Sequence, residues 1–370
     1  MDKIYLDYNA STPIDAEVAR AMAPFLERAW GNPSSLHWAS HEAKEAYQTA
    51  KAQIADRIGA LPSQIVMTSG GSEANNLALK GVFFSQSKKG KHIITSSIEH
   101  PAILEPLSFL TRFGAEITYL PVDSLGRVDP ADLKKAIRTD TILVSIMHAN
   151  NEIGTIQDIA ALSSIAHERK VLFHTDAAQS VGKIPVDVET LGVDLLTIAG
   201  HKIYAPKGVG ALYVSGGVNL EPLIHGGGQE DGRRAGTESA LMAVALGKAC
   251  EIIQVPDPVM KEMKEYFISC LQERFGNKIF LNGNIEHSLT NTVNVSFLGY
   301  HGAEILGSLP LLAASTGSAC HSGSAKLSGI FREIGANEER ARGAIRFSLG
   351  RYTTYEELDN AVSMLAQVIN

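Results

Sequence analysis

The stretch Thr197-Ile198-Ala199-Gly200-His201-Lys202 decides how the rest of the chain is interpreted. The apolar residues 194–199 predict a buried strand, and a glycine and a histidine follow it before the lysine. A lysine at the end of a buried strand loses hydration, which lowers its pKa and lets its amine form Schiff bases. For an isolated lysine the simpler interpretation is a residue that merely ends a strand. The rest of the chain therefore has to decide between the two.

Size and composition favour a globular protein with a substantial core. The chain has 370 residues and a net charge of -7, and 45% of its residues are hydrophobic. Its mild acidity argues against direct nucleic-acid binding. The first eight residues do not resemble a signal peptide, and no stretch is long enough to span a membrane. Three cysteines fit a reducing compartment. We therefore expect a cytoplasmic protein with no membrane association and no metal site.

Strands and helices alternate through most of the chain. Short apolar runs predict strands at 65–69, 92–95, 116–120, 141–146, 171–175 and 211–214. Helical patterns lie between several of them, at 102–113, 130–137 and 156–169. Continuous apolar strands in repeated strand–helix units predict an α/β fold whose mostly parallel sheet lies between helices. Ligands on such sheets bind at the carboxyl ends of the strands.

Two prolines, Pro256 and Pro258, interrupt the helical patterns and mark the best domain boundary. The part that follows has an α+β pattern, with helices at 259–275 and 355–368 and strands at 292–297 and 345–348. We therefore expect a large domain at 13–255. The smaller domain is expected to combine 1–12 with 256–370 and to carry a loop at about 315–332.

Several polar residues follow predicted strands. Gly71 and Ser72 stand between a strand and a helix, where glycine and free N–H groups suit a phosphate, although an ordinary turn with a serine N-cap explains them equally well. Asp176 ends another strand, where a carboxylate can hold a pyridinium N–H or simply cap a helix. His100 has the chemistry to stack on a flat cofactor and move protons, or to serve as a cap. Asn151 offers an amide donor at the same edge.

Two further stretches carry reactive groups. Residues 225–238 form a glycine-rich segment with an arginine pair, which suits a phosphate from this subunit or a partner, or is a surface loop. Cys320 lies among small polar residues, which predicts an exposed and mobile nucleophile. Cys250 and Cys270 lie in apolar helical patterns and are predicted to be structural. Arg346 lies on an apolar strand, where an arginine usually has a carboxylate partner, with a substrate carboxylate as one candidate.

Taken together, these segments closely resemble the cysteine desulfurases of the NifS/IscS type, which are pyridoxal 5'-phosphate (PLP) enzymes of fold type I within the class-V aminotransferases. The resemblance covers nearly the whole chain. It rests on the order of seven motifs: Gly31-Asn32-Pro33-Ser34-Ser35, Thr68-Ser69-Gly70-Gly71-Ser72-Glu73, Glu99-His100, Asn150-Asn151-Glu152-Ile153-Gly154, Asp176-Ala177-Ala178-Gln179-Ser180, Gly200-His201-Lys202 and Gly317-Ser318-Ala319-Cys320.

The resemblance implies a role for each residue. Lys202 would bind PLP covalently and move the Cα proton, while Asp176 would hold the ring nitrogen and Gln179 the ring oxygen. His100 would stack on the ring and act as acid and base. The other implied cofactor and substrate ligands are Gly71, Ser72 and His201 for the phosphate, Thr237 from the partner subunit of a homodimer, Asn151 for the ring or substrate, and Asn32 with Arg346 for the substrate carboxylate. Cys320 would take the sulfur of L-cysteine as a persulfide, release L-alanine and pass the sulfur to an acceptor protein.

Two features depart from this pattern. Ala199 stands where many desulfurases have a serine, so one phosphate contact worth about 1 kcal/mol is expected to be missing. Cys320 precedes His321 and Ser322, as in selenocysteine lyases. A selenocysteine lyase is therefore the alternative function, and an inactive homologue that serves as a binding subunit is a third. The presence of Lys202, Asp176, His100 and Cys320 together argues against the third.

Overall fold

The computed structural model describes residues 3–316 and 328–369. The described residues form thirteen α-helices, α1 to α13, at Ala16–Glu27, His41–Arg57, Gly71–Ser85, Pro101–Thr111, Pro130–Ala136, Ile159–Glu168, Val188–Leu191, Ala240–Ile252, Pro258–Phe275, Gly302–Gly307, Gly329–Glu333, Glu338–Gly343 and Tyr355–Val368. They form twelve strands, β1 to β12, at Ile4–Tyr5, Ile65–Thr68, His92–Ser96, Glu116–Leu120, Thr141–Ser145, Leu172–Asp176, Leu195–Ala199, Gly210–Val214, Ile279–Leu281, Thr292–Phe297, Leu312–Ala313 and Ala344–Ser348.

Seven of these strands form the large sheet, in the order β2-β8-β7-β6-β5-β3-β4. Strand β8 is antiparallel to both of its neighbours, while the other neighbouring pairs are parallel. The predicted α/β fold with a mostly parallel sheet is therefore confirmed. Because β3, β5, β6 and β7 run in one direction, their carboxyl ends lie at one edge of the sheet.

Apolar side chains cover both faces of the large sheet. In β7, Leu196 and Ile198 belong to one buried cluster, which also contains residues of α2 and α8. Leu195, adjacent in the chain, belongs to the second cluster with Leu77 of α3 and Leu107 of α4. This alternation follows from the two-residue period of a strand, which sends neighbouring side chains to opposite faces. Buried apolar clusters lie on both faces of the sheet, which explains why most of its strands are continuous apolar runs in the sequence.

The C-terminal part is built on a small antiparallel sheet with the order β12-β10-β9. Phe267 of α9 and Leu365 of α13 pack in one buried cluster with Val295 and Phe347 of this sheet. Leu6 belongs to the same cluster, and β1 pairs in parallel with β11, so the first residues of the chain pack with its last part. The domain boundaries given above stay a prediction.

The segment 7–12 connects the small sheet to the edge of the large one. The N–H of Tyr8 donates to the carbonyl oxygen of Ser348 in β12 at 3.2 Å. Four residues later, the N–H of Thr12 donates to the carbonyl oxygen of His201 at 2.9 Å. The two sheets therefore meet at the carboxyl edge that the sequence predicts for a ligand. In the described part of the chain, no helix has the length and apolar character that crossing a membrane requires.

Candidate active site

Five predicted residues lie where strands of the large sheet end, and we call them the rim: Gly71 after β2, His100 after β3, Asn151 after β5, Asp176 at the end of β6 and Lys202 after β7. Because β2, β3, β5, β6 and β7 all run in the same direction, the fold brings the segments that follow them to one edge of the sheet. The rim is where the sequence placed the reactive groups.

Lys202 ends a short 3₁₀ helix, Gly200–Lys202, that directly follows β7. Its Nζ donates to the carbonyl oxygen of Asn9 and, at 2.8 Å, to that of Ala10. Burial lowers the pKa of Lys202 to about 8, and the nearby charge of Arg346 acts in the same direction. At neutral pH this amine therefore loses a proton far more readily than an exposed lysine does.

Asp176 is a buried carboxylate that accepts two directed hydrogen bonds. Its Oδ2 accepts from Nδ2 of Asn75 at 2.7 Å, and its Oδ1 accepts from the N–H of Ala178 at 2.9 Å. These contacts fix the direction of the carboxylate at the end of β6. The sequence analysis missed Asn75, although its position one helical turn after Gly71 on α3 places it on the side of the helix that faces the sheet.

His100 is the N-cap residue of α4. Its Nδ1 accepts a hydrogen bond from the N–H of Ala102 at 3.1 Å, so the neutral ring carries its proton on Nε2. Desolvation by the surrounding protein lowers the pKa of His100, with Lys202 adding to the effect and Asp176 opposing it. The predicted role as a cap is thus observed, while the role as a proton carrier stays a prediction.

Glu99, the residue before His100, is buried, and the sequence analysis named it in a motif without assigning it a role. Its Oε1 accepts from the hydroxyl of Ser96 at 2.5 Å and from the N–H of Met147 at 2.9 Å. Burial raises the pKa of Glu99 to about 8, so the carboxyl group is mostly protonated at neutral pH. It ties the end of β3 to the segment that follows β5, which carries Asn151.

The start of α3 has the features of an anion site. No side chain caps this 15-residue helix, and Gly70 before it has a φ of 148°, a conformation that favours glycine. The exposed Ser72 adds a hydroxyl at the first turn. The carboxylate of Glu73, in the first turn of α3, accepts from Nε of Arg234 at 2.9 Å, which offsets its charge. An anion at this helix start would meet free N–H groups and the positive end of the helix dipole.

His201 lies beside Lys202 and close to the N-terminal segment. Its Nδ1 is 3.4 Å from the hydroxyl oxygen of Ser11. Burial and the neighbouring charge of Lys202 lower the pKa of His201 to about 4, so the ring is neutral at physiological pH. It can donate an N–H to an anion, but it does not add a positive charge.

Arg346 extends from β12 toward the rim. Its Nη1 donates to the carbonyl oxygen of Asn151 at 2.9 Å, and its Nη2 is 2.7 Å from Oδ1 of Asp7. The carboxylate partner that the sequence predicts is thus present within the chain. The buried Nε of Arg346 has no hydrogen-bond partner among the described residues. One donor of the guanidinium therefore stays available at the rim.

Three predicted residues are not joined to the rim by the described contacts. Asn32 is exposed, and its Oδ1 accepts from the N–H of Ser34 at 2.9 Å. Thr237 is also exposed and lines a cavity of about 100 Å³ together with Ser69. Cys320 lies outside the described residues. Its predicted role stays a prediction, as do those of Asn32 and Thr237.

The other two cysteines lie where the sequence analysis expects them, and His174 is a further buried side chain. Cys250 is 1% exposed, and burial raises the pKa of its thiol to about 12, which fits a structural residue. Cys270 is half-buried. His174 is fully buried and within hydrogen-bonding distance of Oγ of Ser145 and Oγ1 of Thr197, so it belongs to the core.

Comparison with known proteins identifies the family. A model of the aminotransferase class-V family matches residues 4–361. A relative named cysteine desulfurase IscS, from Dictyoglomus turgidum, is 51% identical over 99% of this chain and 94% of its own length. The structure of a NifS-like protein is 36% identical, with a TM-score of 0.92 over 99% of each chain. A structure of SspA in complex with cysteine is 39% identical, with a TM-score of 0.84 over 95% of this chain and 100% of SspA. The chain therefore belongs to the aminotransferase class-V family and, within it, to the cysteine desulfurases.

Proposed function

We propose that this chain is a PLP-dependent cysteine desulfurase that converts L-cysteine to L-alanine and transfers the sulfur through Cys320 to an acceptor. The observation that carries the proposal is the position of Lys202. Its amine has a pKa of about 8 and lies on the same rim as the buried Asp176 and as His100, whose lowered pKa favours the neutral ring. The matches to the relatives named above cover nearly the whole of this chain, and one of these relatives is named cysteine desulfurase IscS.

The residues at the rim fit the four polar groups of PLP. The uncapped start of α3 at Gly71 suits the phosphate. The buried Asp176 has the chemistry to hold a protonated ring nitrogen, and the carboxamide of Gln179 offers an N–H for the ring oxygen. Lys202 supplies the amine that binds the carbonyl carbon. Together these side chains account for each polar group of the cofactor.

When bound, PLP supplies an electron sink that makes the bonds at Cα and Cβ of the substrate easier to break. The chain contributes the proton transfers. The amine of Lys202 takes the Cα proton, for which its lowered pKa prepares it. His100 keeps its proton on Nε2, since its Nδ1 is held as an acceptor, and the neutral ring would offer this N–H as a hydrogen-bond donor to the substrate.

The substrate carboxylate is proposed to bind at Arg346. The unpartnered Nε of that side chain offers a charge-assisted donor, and the guanidinium is held in place by Asp7 and the carbonyl oxygen of Asn151. The carboxamide of Asn151 lies beside this carbonyl and offers a further polar group. The predicted contribution of Asn32 requires that its exposed loop meets the same carboxylate.

Cys320 is proposed to receive the sulfur. The described residues on either side of it are anchored close to Arg346: the N–H of Ser315 donates to the carbonyl oxygen of Arg346 at 3.1 Å, and Oγ of Ser328 donates to Glu152 at 2.8 Å. Five residues of chain span at most about 18 Å, so position 320 lies within that distance of Ser315. In the transfer, the Cys320 thiolate would form an S–S bond with the substrate sulfur while the Cβ–S bond breaks. Cβ would then take a proton and Cα would regain the one it lost, which yields alanine and a persulfide on Cys320.

The partners are also proposals. A homodimer would bring the exposed Thr237 to the phosphate of the partner subunit. The loop that carries Thr237 is held by Glu230, whose carboxylate is 3.0 Å from Nζ of Lys51 and accepts from the hydroxyl of Tyr47. The acceptor is proposed to be a protein of iron–sulfur cluster assembly or thio-modification. No contact in the described residues favours selenocysteine, and the relatives named above do not either.

The test is alanine release from L-cysteine in the presence of a thiol reductant and PLP, comparing the native chain with Cys320→Ser. We expect release by the native chain and loss of nearly all of it in the variant. Equal release by both proteins would refute the role of Cys320. Release from selenocysteine alone, surviving the loss of Cys320, would move the assignment to selenocysteine lyase. A native chain that binds no PLP would refute the function as a whole.

A further inference from the structure

Asn9 lies at the point where the two sheets meet the rim, and it is 1% exposed. Its backbone N–H donates to Oγ of Ser348 at 2.9 Å, and its backbone carbonyl oxygen accepts from Nε2 of Gln179 at 3.0 Å and from Nζ of Lys202. Its side-chain Nδ2 donates to the carbonyl oxygen of Asn151 at 3.2 Å and to Oγ1 of Thr292 at 2.8 Å. Its side-chain Oδ1 accepts from Nζ of Lys183 at 2.7 Å and from Nδ2 of Asn291 at 3.1 Å. Three of these partners are predicted site residues. The orientation of the Asn9 carboxamide therefore matters for the site.

Lys183 fixes the orientation of two carboxamides at once. Its Nζ donates to Oδ1 of Asn9 at 2.7 Å and to Oε1 of Gln179 at 2.6 Å. A lysine amine at the end of such contacts acts as a donor, so each carboxamide must turn its oxygen toward it. At the other end, Nε2 of Gln179 faces the carbonyl oxygen of Asn9, which only accepts. Both ends of the Gln179 side chain thus require the same orientation.

The arrangement does not depend on the charge of Lys183. Burial lowers the pKa of Lys183 well below its usual value, and the charges of Lys202 and Arg346 act in the same direction. A neutral amine still has two N–H bonds, and two carboxamide oxygens receive them. The contacts to Asn9 and Gln179 therefore persist in either protonation state.

We propose that Lys183 is a positioning residue that turns the carboxamide nitrogen of Gln179 toward the ring oxygen of PLP. The inference rests on the proposed function. Among the described contacts, Gln179 uses one of its two N–H bonds for the carbonyl oxygen of Asn9, which leaves the second for a ligand. The same carbonyl oxygen accepts from Nζ of Lys202, so Gln179 and Lys202 approach one point from two sides. Without Lys183, only the carbonyl oxygen of Asn9 holds the Gln179 carboxamide in this orientation, so its oxygen turns more often toward the cofactor, where two oxygens repel each other.

The experiment uses the full chain with PLP and compares the native protein with Lys183→Met. Two quantities are measured: the Kd of the PLP-free protein for PLP, and the pH midpoint of the absorption change of the bound cofactor. We expect the Kd to rise about tenfold, since the hydrogen bond from the Gln179 N–H to the charged ring oxygen is lost or is replaced by a repulsion between two oxygens. We expect the midpoint to move to higher pH, because a ring oxygen that loses an N–H donor shares a proton more tightly.

Lys264→Met is the matched control. Lys264 is also a buried lysine with two oxygen partners, Oγ of Ser288 at 2.6 Å and the carbonyl oxygen of Leu289 at 2.9 Å, and none of these residues belongs to the site. We expect this variant to lose thermal stability while the Kd for PLP and the pH midpoint stay at their native values. A shift of the midpoint in Lys264→Met equal to that in Lys183→Met would overturn the positioning role.

Two further variants sharpen the test, and the first of them also serves if Lys183→Met does not fold. Gln179→Glu retains a partner for Lys183 but has no N–H, so the midpoint should again move to higher pH; an unchanged midpoint would overturn the proposal. In the double variant of Lys183→Met and Gln179→Ala, the Kd should be close to that of Gln179→Ala alone. Additive effects would show that Lys183 acts by another route. If the native protein binds PLP and Lys183→Met has the same Kd and the same pH midpoint, only the inference about Lys183 is refuted. If the native protein binds no PLP, the proposed function is refuted as well.

Discussion

Lys202 at the rim is half-buried and Lys264 on α9 is buried, and desolvation lowers the pKa of both lysines to about 8. Their surroundings differ. Lys264 meets a hydroxyl and a carbonyl oxygen on the surface of the small sheet, while Lys202 is close enough to Arg346, Asp7 and Asp176 for their charges to act on it. A lowered pKa alone therefore does not mark a catalytic lysine. A catalytic lysine is distinguished by charged and polar groups around it that the packing of a hydrophobic core does not require.

The largest effect is expected from removing the lysine of each region. Lys202→Ala should lower alanine release from L-cysteine by about a thousandfold or more, since it removes both the cofactor-binding amine and the proton acceptor. Lys264→Met should leave alanine release within about twofold of native. It should lower the free energy of unfolding by about 1–3 kcal/mol, because two buried oxygens lose their donor. Both are measured by alanine assay and by thermal unfolding. Similar losses of activity in the two variants would erase the distinction between the regions.

A smaller effect separates the two ends of the large sheet. Asp176→Asn should lower alanine release by about a hundredfold, because a carboxamide does not stabilise a positive charge on the ring nitrogen. Asp194→Asn is the control: its carboxylate accepts from the N–H of Phe173 at 2.7 Å and lies before β7, at the opposite edge of the sheet from the rim. This second variant should change stability and leave turnover close to native. An equal loss of turnover in both would mean that Asp176 acts only by holding the sheet.

Much of the fold follows from apolar patterns in the sequence. The predicted strands lie within one or two residues of β2 to β8, β10 and β12. Except for β4, where Glu116 and Tyr119 are exposed, both faces of these strands are largely buried. Strand β9, at Ile279–Leu281, was not predicted: it has three residues, and its central Phe280 is 44% exposed, so it lacks a pattern that distinguishes it from a loop. The antiparallel direction of β8 was not predicted either. It depends on a connection of only a few residues after Lys202.

The site is predictable only where it follows strand ends. Asp176 and Lys202 could be placed because residues at the carboxyl ends of neighbouring parallel strands must meet. The contacts of Asn9 with Gln179 and Lys183 join positions that lie at least 170 residues apart, and no local pattern specifies them. The partner of Arg346 is likewise 339 residues away, at Asp7. Such pairs result from how the N-terminal segment packs between the two sheets.

The next effect is a change in how stability depends on pH. Burial raises the pKa of Glu99 from 4.5 to about 8, so between these pH values the native state keeps a proton that the unfolded chain releases. Native stability should therefore fall as pH rises from about 5 to 8. Glu99→Gln has no such proton, so its Tm should gain about 4 °C or more relative to native over that range. The measurement is calorimetric unfolding at several pH values.

Lys264 provides the contrast for this pH effect. Its pKa is lowered from 10.5 to about 8, so it makes stability depend on pH only above about pH 8. There stability rises with pH, whereas the effect of Glu99 is a fall. The difference in Tm between Lys264→Met and the native protein should therefore be constant between pH 5 and 7.5. A constant difference for Glu99→Gln as well would show that Glu99 is ionised in the native protein.

The smallest effect compares two helix starts. Helix α3 begins without a side-chain cap, whereas α13 begins with a capping box in which Thr354 accepts from the N–H of Glu357 at 3.2 Å. Thr354→Ala should lower the free energy of unfolding by about 1 kcal/mol and leave the Kd for PLP unchanged. Ser72→Ala should leave stability nearly native and raise the Kd for PLP about fivefold, since one neutral hydrogen bond to the phosphate is lost. An unchanged Kd in Ser72→Ala would assign phosphate binding to the backbone N–H groups of α3, which the uncapped start of that helix leaves available.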